Sequence, residues 1–167
     1  MPPVVEPTSP PAVQPRSRVV WVLALLVVAA ALAAAWFGIP AWHRHQRQTH
    51  AVETAALVEQ FVAIFDGFAH AHGEWPVAAA PGTMPTGMES ALRDTAWTKP
   101  APIGGKFAWG IDAGGVHAGI SVVSADSAHP LDSRSVEELL RTLKSRGFPQ
   151  ARLRLNARNE PMFVLED

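Results

Sequence analysis

Residues 19–42 read VVWVLALLVVAAALAAAWFGIPAW, twenty-four positions from Val19 to Trp42 with no charged or hydrophilic side chain, interrupted only by Gly38 and Pro40. A bilayer is crossed by about 20 such residues in a helix. Helix is the economical form because it satisfies every backbone N–H and C=O within the segment itself. Trp21 at one end and Trp36 and Trp42 towards the other suit the two interfacial belts, where an indole buries its body and keeps its N–H wet. The run therefore reads as a transmembrane helix. Ala33 to Ala35 offer small residues to a signal peptidase, but the apolar core exceeds the about 7–15 residues of a signal peptide.

The helical pattern continues beyond the span. Ala51 to His72 contain no Pro and no Gly before Gly67, and Val58, Phe61, Phe65 and Phe68 recur three and four residues apart with Glu53, Glu59, Gln60 and Asp66 between them. That is one apolar stripe on an amphipathic helix. Gly73 fits the stop, and Pro76 forbids an early restart. A helix unbroken from Val19 to His72 would run about 80 Å, at roughly 1.5 Å per residue, with residues 19–42 in lipid and residues 43–72 extending towards a domain. Pro40 lacks the amide proton its turn needs and clashes with the carbonyl four residues back, so it should kink the helix.

Composition agrees with this division. Apolar residues make up 48% of the 167 and charged ones only 17%, and most of that excess lies in the one span. Fourteen Lys and Arg against fifteen Asp and Glu give a net charge of −1, too weak a field to hold a polyphosphate backbone, so nucleic acid is not an expected partner. The absence of Cys excludes disulfides, thiol catalysis and thiolate metal sites. Residues 1–18 carry six prolines in the first fifteen positions and read as a disordered lead-in. Arg16 and Arg18 balance Arg44 and Arg47 across the span. The positive-inside count is thus a tie, and the short tail is the easier segment to keep inside.

Residues 73–105 are rich in Pro and Gly and read as a long ordered loop, anchored by Trp75 and Trp97, with a short helix over Met88 to Thr95. Residues 106–167 read as an antiparallel sheet with one helix. A hairpin over Lys106 to Val123 alternates Phe107, Trp109 and Ile111, turns at Asp112 to Gly115, and returns through Val116, Ala118, Ile120 and Val122. A helix over Ser135 to Arg146 opens with a capping box, Ser135 to Glu138. It offers Val136, Leu139, Leu140 and Leu143 to the core, and stops at Gly147. The last hairpin joins Ala151 to Leu155 with Met162 to Leu165, Leu153 and Leu155 pointing in and Arg152 and Arg154 out. The fold class is α+β, with the Phe stripe of the long helix covering a four-stranded antiparallel sheet.

No catalytic, cofactor or metal site stands out. His43 with His45, and His70 with His72, are two apart, about 200° around a helix, whereas chelating pairs sit three or four apart. No nucleophile elbow, P-loop or dinucleotide fingerprint occurs. Asp126, His129 and Ser133 are the right residue types for a triad, but they share one loop with Pro130 between them. Ala30 and Ala34, within the Ala-rich stretch of the span, present small side chains that permit close helix packing in lipid.

The sequence Gly73-Glu-Trp-Pro76, then Gly82 to Met88, then Trp97-Thr-Lys-Pro-Ala-Pro-Ile-Gly-Gly105 and Phe107-Ala-Trp109, resembles a group of prepilin-like proteins. These carry G-x-W/Y-P after the first helix and T-P-I-G-G-x-x-x-W before the first hairpin. Pro40, about 22 residues into the apolar run, stands where pilins carry their helix-kinking proline. In layout the chain from Val19 to Asp167 is similar to type IV pilins and type II secretion pseudopilins. The processing signature departs from that pattern: Arg18 stands at the leader's Gly, Val19 at the Phe and Leu23 at the Glu, which implies a chain kept in the membrane unprocessed. The resemblance implies a pilin-like structural subunit of a type II secretion or type IV pilus-like assembly. It would be single-pass in the inner (cytoplasmic) membrane with its C-terminal domain periplasmic, and its partners would be membrane lipid and other pilin-like subunits met through the N-terminal helix. The alternative is an unprocessed, membrane-anchored pilin-fold binding module outside any filament.

Overall fold

A computed structural model describes residues 16–113, 116–126 and 128–166. The chain divides into two compact units, Met1–His43 and Arg44–Asp167. One helix, α1 (Arg16–His72), provides all the described structure of the first unit and the first element of the second. It takes in residues 16–18, which the proline-rich tail was expected to include; residues 1–15 lie outside the described residues. Gly73 ends it with φ +73°, its amide donating to the Ala69 carbonyl at 2.8 Å. That left-handed φ costs glycine nothing and a side chain a good deal.

In the second unit α1 lies on an antiparallel sheet of four strands: β1 (Lys106–Ala113), β2 (Val116–Val123), β3 (Leu153–Leu155) and β4 (Pro161–Glu166). Their spatial order is β1-β2-β4-β3, so the second hairpin docks through its later strand. The register draws one continuous apolar row across the sheet, Trp109 opposite Ile120, Ile120 opposite Phe163, and Phe163 opposite Leu153. Ala51, Ala55, Val58, Phe61 and Phe65, spaced four, three, three and four apart, are completely buried, as a 3.6-residue period requires of one helix face. Phe61 meets Trp97 and Phe107 edge-on, with centroids 5.0 and 4.8 Å apart, and Phe65 stacks on Trp109 at 4.2 Å. Phe68 is half-buried at the end of the stripe. On the opposite face of the sheet Met162 and Val164 form a small buried cluster.

The loop from Gly73 to Gly105 is fixed by the indoles and by β1. Trp109 donates its Nε1–H to the Pro76 carbonyl and Trp97 donates its own to the Thr83 carbonyl, both at 2.7 Å. Gly82 N–H donates to Phe107 O at 2.7 Å, and Ala79 bridges Trp109, so the loop covers the free edge of β1. The helix expected over Met88 to Thr95 shrinks to one turn, α2 (Glu89–Leu92), whose Leu92 is buried. Gly105 ends the loop at φ +81°, with Val123 O only 2.3 Å from where a Cβ would stand. The Gly104-Gly105 pair is thus a turn that lets the chain enter β1 against β2. Of the turn expected at Asp112 to Gly115, Asp112 and Ala113 belong to β1, and Gly114 and Gly115 lie outside the described residues.

Helix α3 (Ser133–Ser145) begins two residues earlier than Ser135, and its N-cap is Asp132, whose carboxylate accepts from Ser135 N–H at 3.1 Å and Ser135 Oγ–H at 2.8 Å. The capping box read at Ser135 and Glu138 is therefore displaced by three residues. A carboxylate one turn upstream takes the amides first, and Ser135 becomes the N3 residue of that cap. Val136, Leu139 and Leu143 are buried and Leu140 is half-buried. Phe148 N–H donates to Leu143 O at 3.0 Å, and Gly147 N–H to Lys144 O at 3.1 Å. This is the Schellman closure with glycine at φ +85°. Its apolar partner, Phe148, sits edge-on to Phe163 at 6.2 Å. A 3₁₀ turn over Gln150–Arg152 replaces the start of the last hairpin. Leu155, expected to point in, is 46% exposed, because a three-residue edge strand keeps only Leu153 over the core.

Candidate functional site

Each unit presents a candidate surface. The first is the helix face from Val20 to Trp42. It is the one stretch among the described residues long and apolar enough to cross a membrane, and none of its apolar window is buried. Val20, Trp21, Leu25, Leu26, Leu32, Trp36 and Trp42 are all more than half exposed. An apolar surface of this size left bare is the mark of lipid or of a partner, since core helices bury theirs. Ala30 and Ala34 lie one turn apart on the same face, both exposed, and Pro40 lies inside α1, which runs on past it.

The second is an open groove of about 630 Å³ in the second unit, lined by Asp66, His70, Trp75, Ile111, His117 and Glu166 among others. His70 Nδ1 stands 3.0 Å from the Asp66 carbonyl. A carbonyl only accepts, so Nδ1 carries the proton and Nε2 keeps its lone pair while the ring is neutral. Trp75 donates its indole N–H to the Glu166 carboxylate and tilts against Trp109 at 5.5 Å. An aromatic wall beside carboxylates is suited to a cationic or hydrogen-bonding group. His72 makes the same main-chain bond as His70, to Phe68 O at 3.0 Å, and stacks on the Phe68 ring. Among the described residues no three His, Asp or Glu side chains gather as metal ligands.

The loop with the residue types of a triad has another geometry. Asp126 Oδ2 and His129 Nδ1 pair at 2.7 Å on an exposed surface, and the Ser124 hydroxyl ties the main chain at Asp126 and His129. The amide of Ala128 and, next, the His129 ring hold the Asp126 carboxyl below its usual value. Ser133 is the first residue of α3, and no hydrogen bond joins it to His129 among the described residues. The pair staples a turn.

Sequence reasoning missed Glu160, which is 4% exposed. Its carboxylate accepts from Ser124 N–H at 2.8 Å and from Asn156 Nδ2 at 2.7 Å, while Asn156 Oδ1 accepts from the amides of Arg158 and Glu160. A buried carboxylate needs such partners. The signal was Asn156 at the head of a tight turn, a position that favours a side chain able to bond its own backbone. These residues fix the start of β4.

Comparison with protein-family models, curated proteins and solved structures finds no match to this chain.

Proposed function

We propose that this chain is a membrane-anchored, pilin-like structural subunit of a type II secretion or type IV pilus-like assembly. It is a single-pass protein of the inner membrane with its folded domain in the periplasm. The observation that carries the reading is the division of labour within α1: an apolar stretch up to Trp42 whose window has no buried residue, then the Phe61 and Phe65 stripe buried on an antiparallel sheet. One helix thereby joins membrane to domain, which is the layout that pilin-like subunits use to associate. Ala30 and Ala34 supply the helix contact in lipid, where small side chains let backbones approach, and Pro40 supplies the bend.

The aromatic and acidic groove beside Trp75 favours a second reading, an anchored pilin-fold module that binds a ligand outside any filament. Two measurements on the native protein separate the readings. Ala30→Leu with Ala34→Leu should abolish co-purification with other pilin-like subunits while leaving the domain's melting temperature unchanged; undiminished co-purification sinks the subunit reading. Intact mass of the membrane-extracted protein should show the residues before Val19 retained. A chain starting near Trp36 would mean signal-peptide cleavage and would overturn both readings.

A further inference from the structure

The second unit carries a basic groove of about 190 Å³ at its beginning, where α3 comes against the first turns of α1 beyond His43. Arg44 and Arg47 line it from α1, and Arg134 and Arg141 from α3, with Glu137 and Glu138. Four arginines against two glutamates leave an excess of two positive charges. The four are not equivalent. Arg141 forks onto both glutamates, at 3.0 Å to Glu137 and 2.5 Å to Glu138, so these three charges sum to −1 and stand apart from Arg44, Arg47 and Arg134. Arg44 and Arg134 are exposed and Arg47 is half-buried. Asp132 is engaged by Ser135, whose hydroxyl is the main cause of its lowered pKa, with the positive charge of Arg47 a smaller one.

Chain connectivity says what lies next to this groove. Arg44 and Arg47 follow Trp42 by two and five residues, about 3 and 7.5 Å of helical rise. The headgroup layer on either side of the hydrocarbon is roughly 5–8 Å deep. With the apolar run ending at Trp42, connectivity leaves Arg44 and Arg47 within reach of the headgroup layer, and Arg134 lines the same groove. Guanidinium is planar and offers paired N–H donors that fit phosphate oxygens two at a time. We propose that Arg44, Arg47 and Arg134 form a binding site for the phosphate of an anionic lipid headgroup in the bilayer that holds α1. The site pins the second unit to the membrane surface through α3. It rests on the membrane-anchor reading of residues 19–42.

The test uses the full-length protein in nanodiscs of phosphatidylcholine mixed with phosphatidylglycerol, counting by native mass spectrometry the lipids that stay bound on release. Phosphatidylglycerol should be retained about tenfold over its share of the disc, given the attraction per arginine near an anionic surface. Arg47→Gln with Arg134→Gln should return retention to the bulk ratio. Glu137→Gln with Glu138→Gln, which frees Arg141 without touching the three arginines, should raise it. Bulk-ratio retention by the unaltered chain overturns the proposal, as does persistence of the preference in the double arginine variant with unchanged circular dichroism. If millimolar inorganic phosphate displaces the retained lipid, the ligand is a soluble anion and the lipid assignment falls. A chain that never enters the disc fraction overturns the anchor reading and this one together, whereas a chain that enters without lipid preference overturns this one alone.

Discussion

Residues 20–42 and 51–68 of α1 are both helical and both rich in large apolar side chains, yet the apolar window of the first has no buried residue and the second buries a stripe completely. The difference lies in what sits between the apolar residues. In the second stretch Glu53, Glu59, Gln60 and Asp66 occupy the positions between Ala51, Ala55, Val58, Phe61 and Phe65, so the helix has one face for a core and one for water. In the first stretch every face is apolar, and a small sheet cannot cover a helix from all sides. A helix apolar all round is solvated by lipid or by other helices. Side-chain size alone therefore does not say where a helix belongs; the periodicity of the polar residues does.

Truncating one side chain in each stretch should have unequal effects on the fold. Phe65→Ala removes a completely buried ring stacked on Trp109 and should cost about 3–5 kcal/mol, read as a fall in the domain's melting midpoint by chemical denaturation. Leu25→Ala, which truncates an apolar side chain that is 67% exposed, should leave that midpoint unchanged and alter only partition into membrane. Equal losses at the two sites would mean that residues 20–42 pack on a domain after all.

A smaller effect is expected where the loop hands the stripe its partners. Gly105→Ala must place a Cβ within 2.3 Å of Val123 O at φ +81°, and should cost roughly 2–3 kcal/mol through strain and displacement of β1. Gly67→Ala in α1, where a Cβ meets nothing within 4 Å, should instead stabilise the helix by about 0.5–1 kcal/mol.

The smallest concerns α3, which completes the cover of the sheet beside the stripe. Asp132→Ala removes the N-cap and should cost about 1 kcal/mol. The carboxyl's pKa in the fold lies below its ordinary 3.8, first through the Ser135 hydroxyl. Its contribution is therefore complete above about that pH and is lost as pH falls through the lower folded value. Denaturation midpoints of the two forms should differ at neutral pH and converge in acid. A constant difference down to the acid limit would mean that the carboxylate's charge takes no part in the cap.

Most of the second unit was legible. The Phe stripe, the first hairpin, the buried Val136, Leu139 and Leu143, and the stop at Gly147 all follow from period 3.6, period 2 and left-handed glycine. The misses share a cause, which is competition between two local choices that only surroundings settle. Ser135 satisfied a capping-box pattern, but Asp132, a stronger acceptor one turn earlier, took the cap. Leu155 satisfied the alternation, but the 3₁₀ turn over Gln150–Arg152 left a strand too short to carry it over the core. Glu160 looked like one more surface charge, and Asn156 and Ser124 made its burial tolerable. Of the candidate surfaces, Ala30, Ala34 and Pro40 needed nothing beyond the sequence to be placed on one apolar helix. The groove around Trp75 and Glu166, 91 residues apart, had no signal in any local pattern.

Local pattern sets the elements: an all-round apolar helix continuous with an amphipathic one, four strands of alternating character, and a helix stopped by glycine. These follow from interactions between residues a few positions apart, whose geometry the chain carries with it. Tertiary structure alone decided that β4 and not β3 pairs with β2, that Glu160 is buried, and that Arg134 on α3 stands in one groove with Arg44 and Arg47. Those outcomes depend on side chains tens of residues apart meeting in space, and on how completely each neighbour can satisfy a polar group that loses its water.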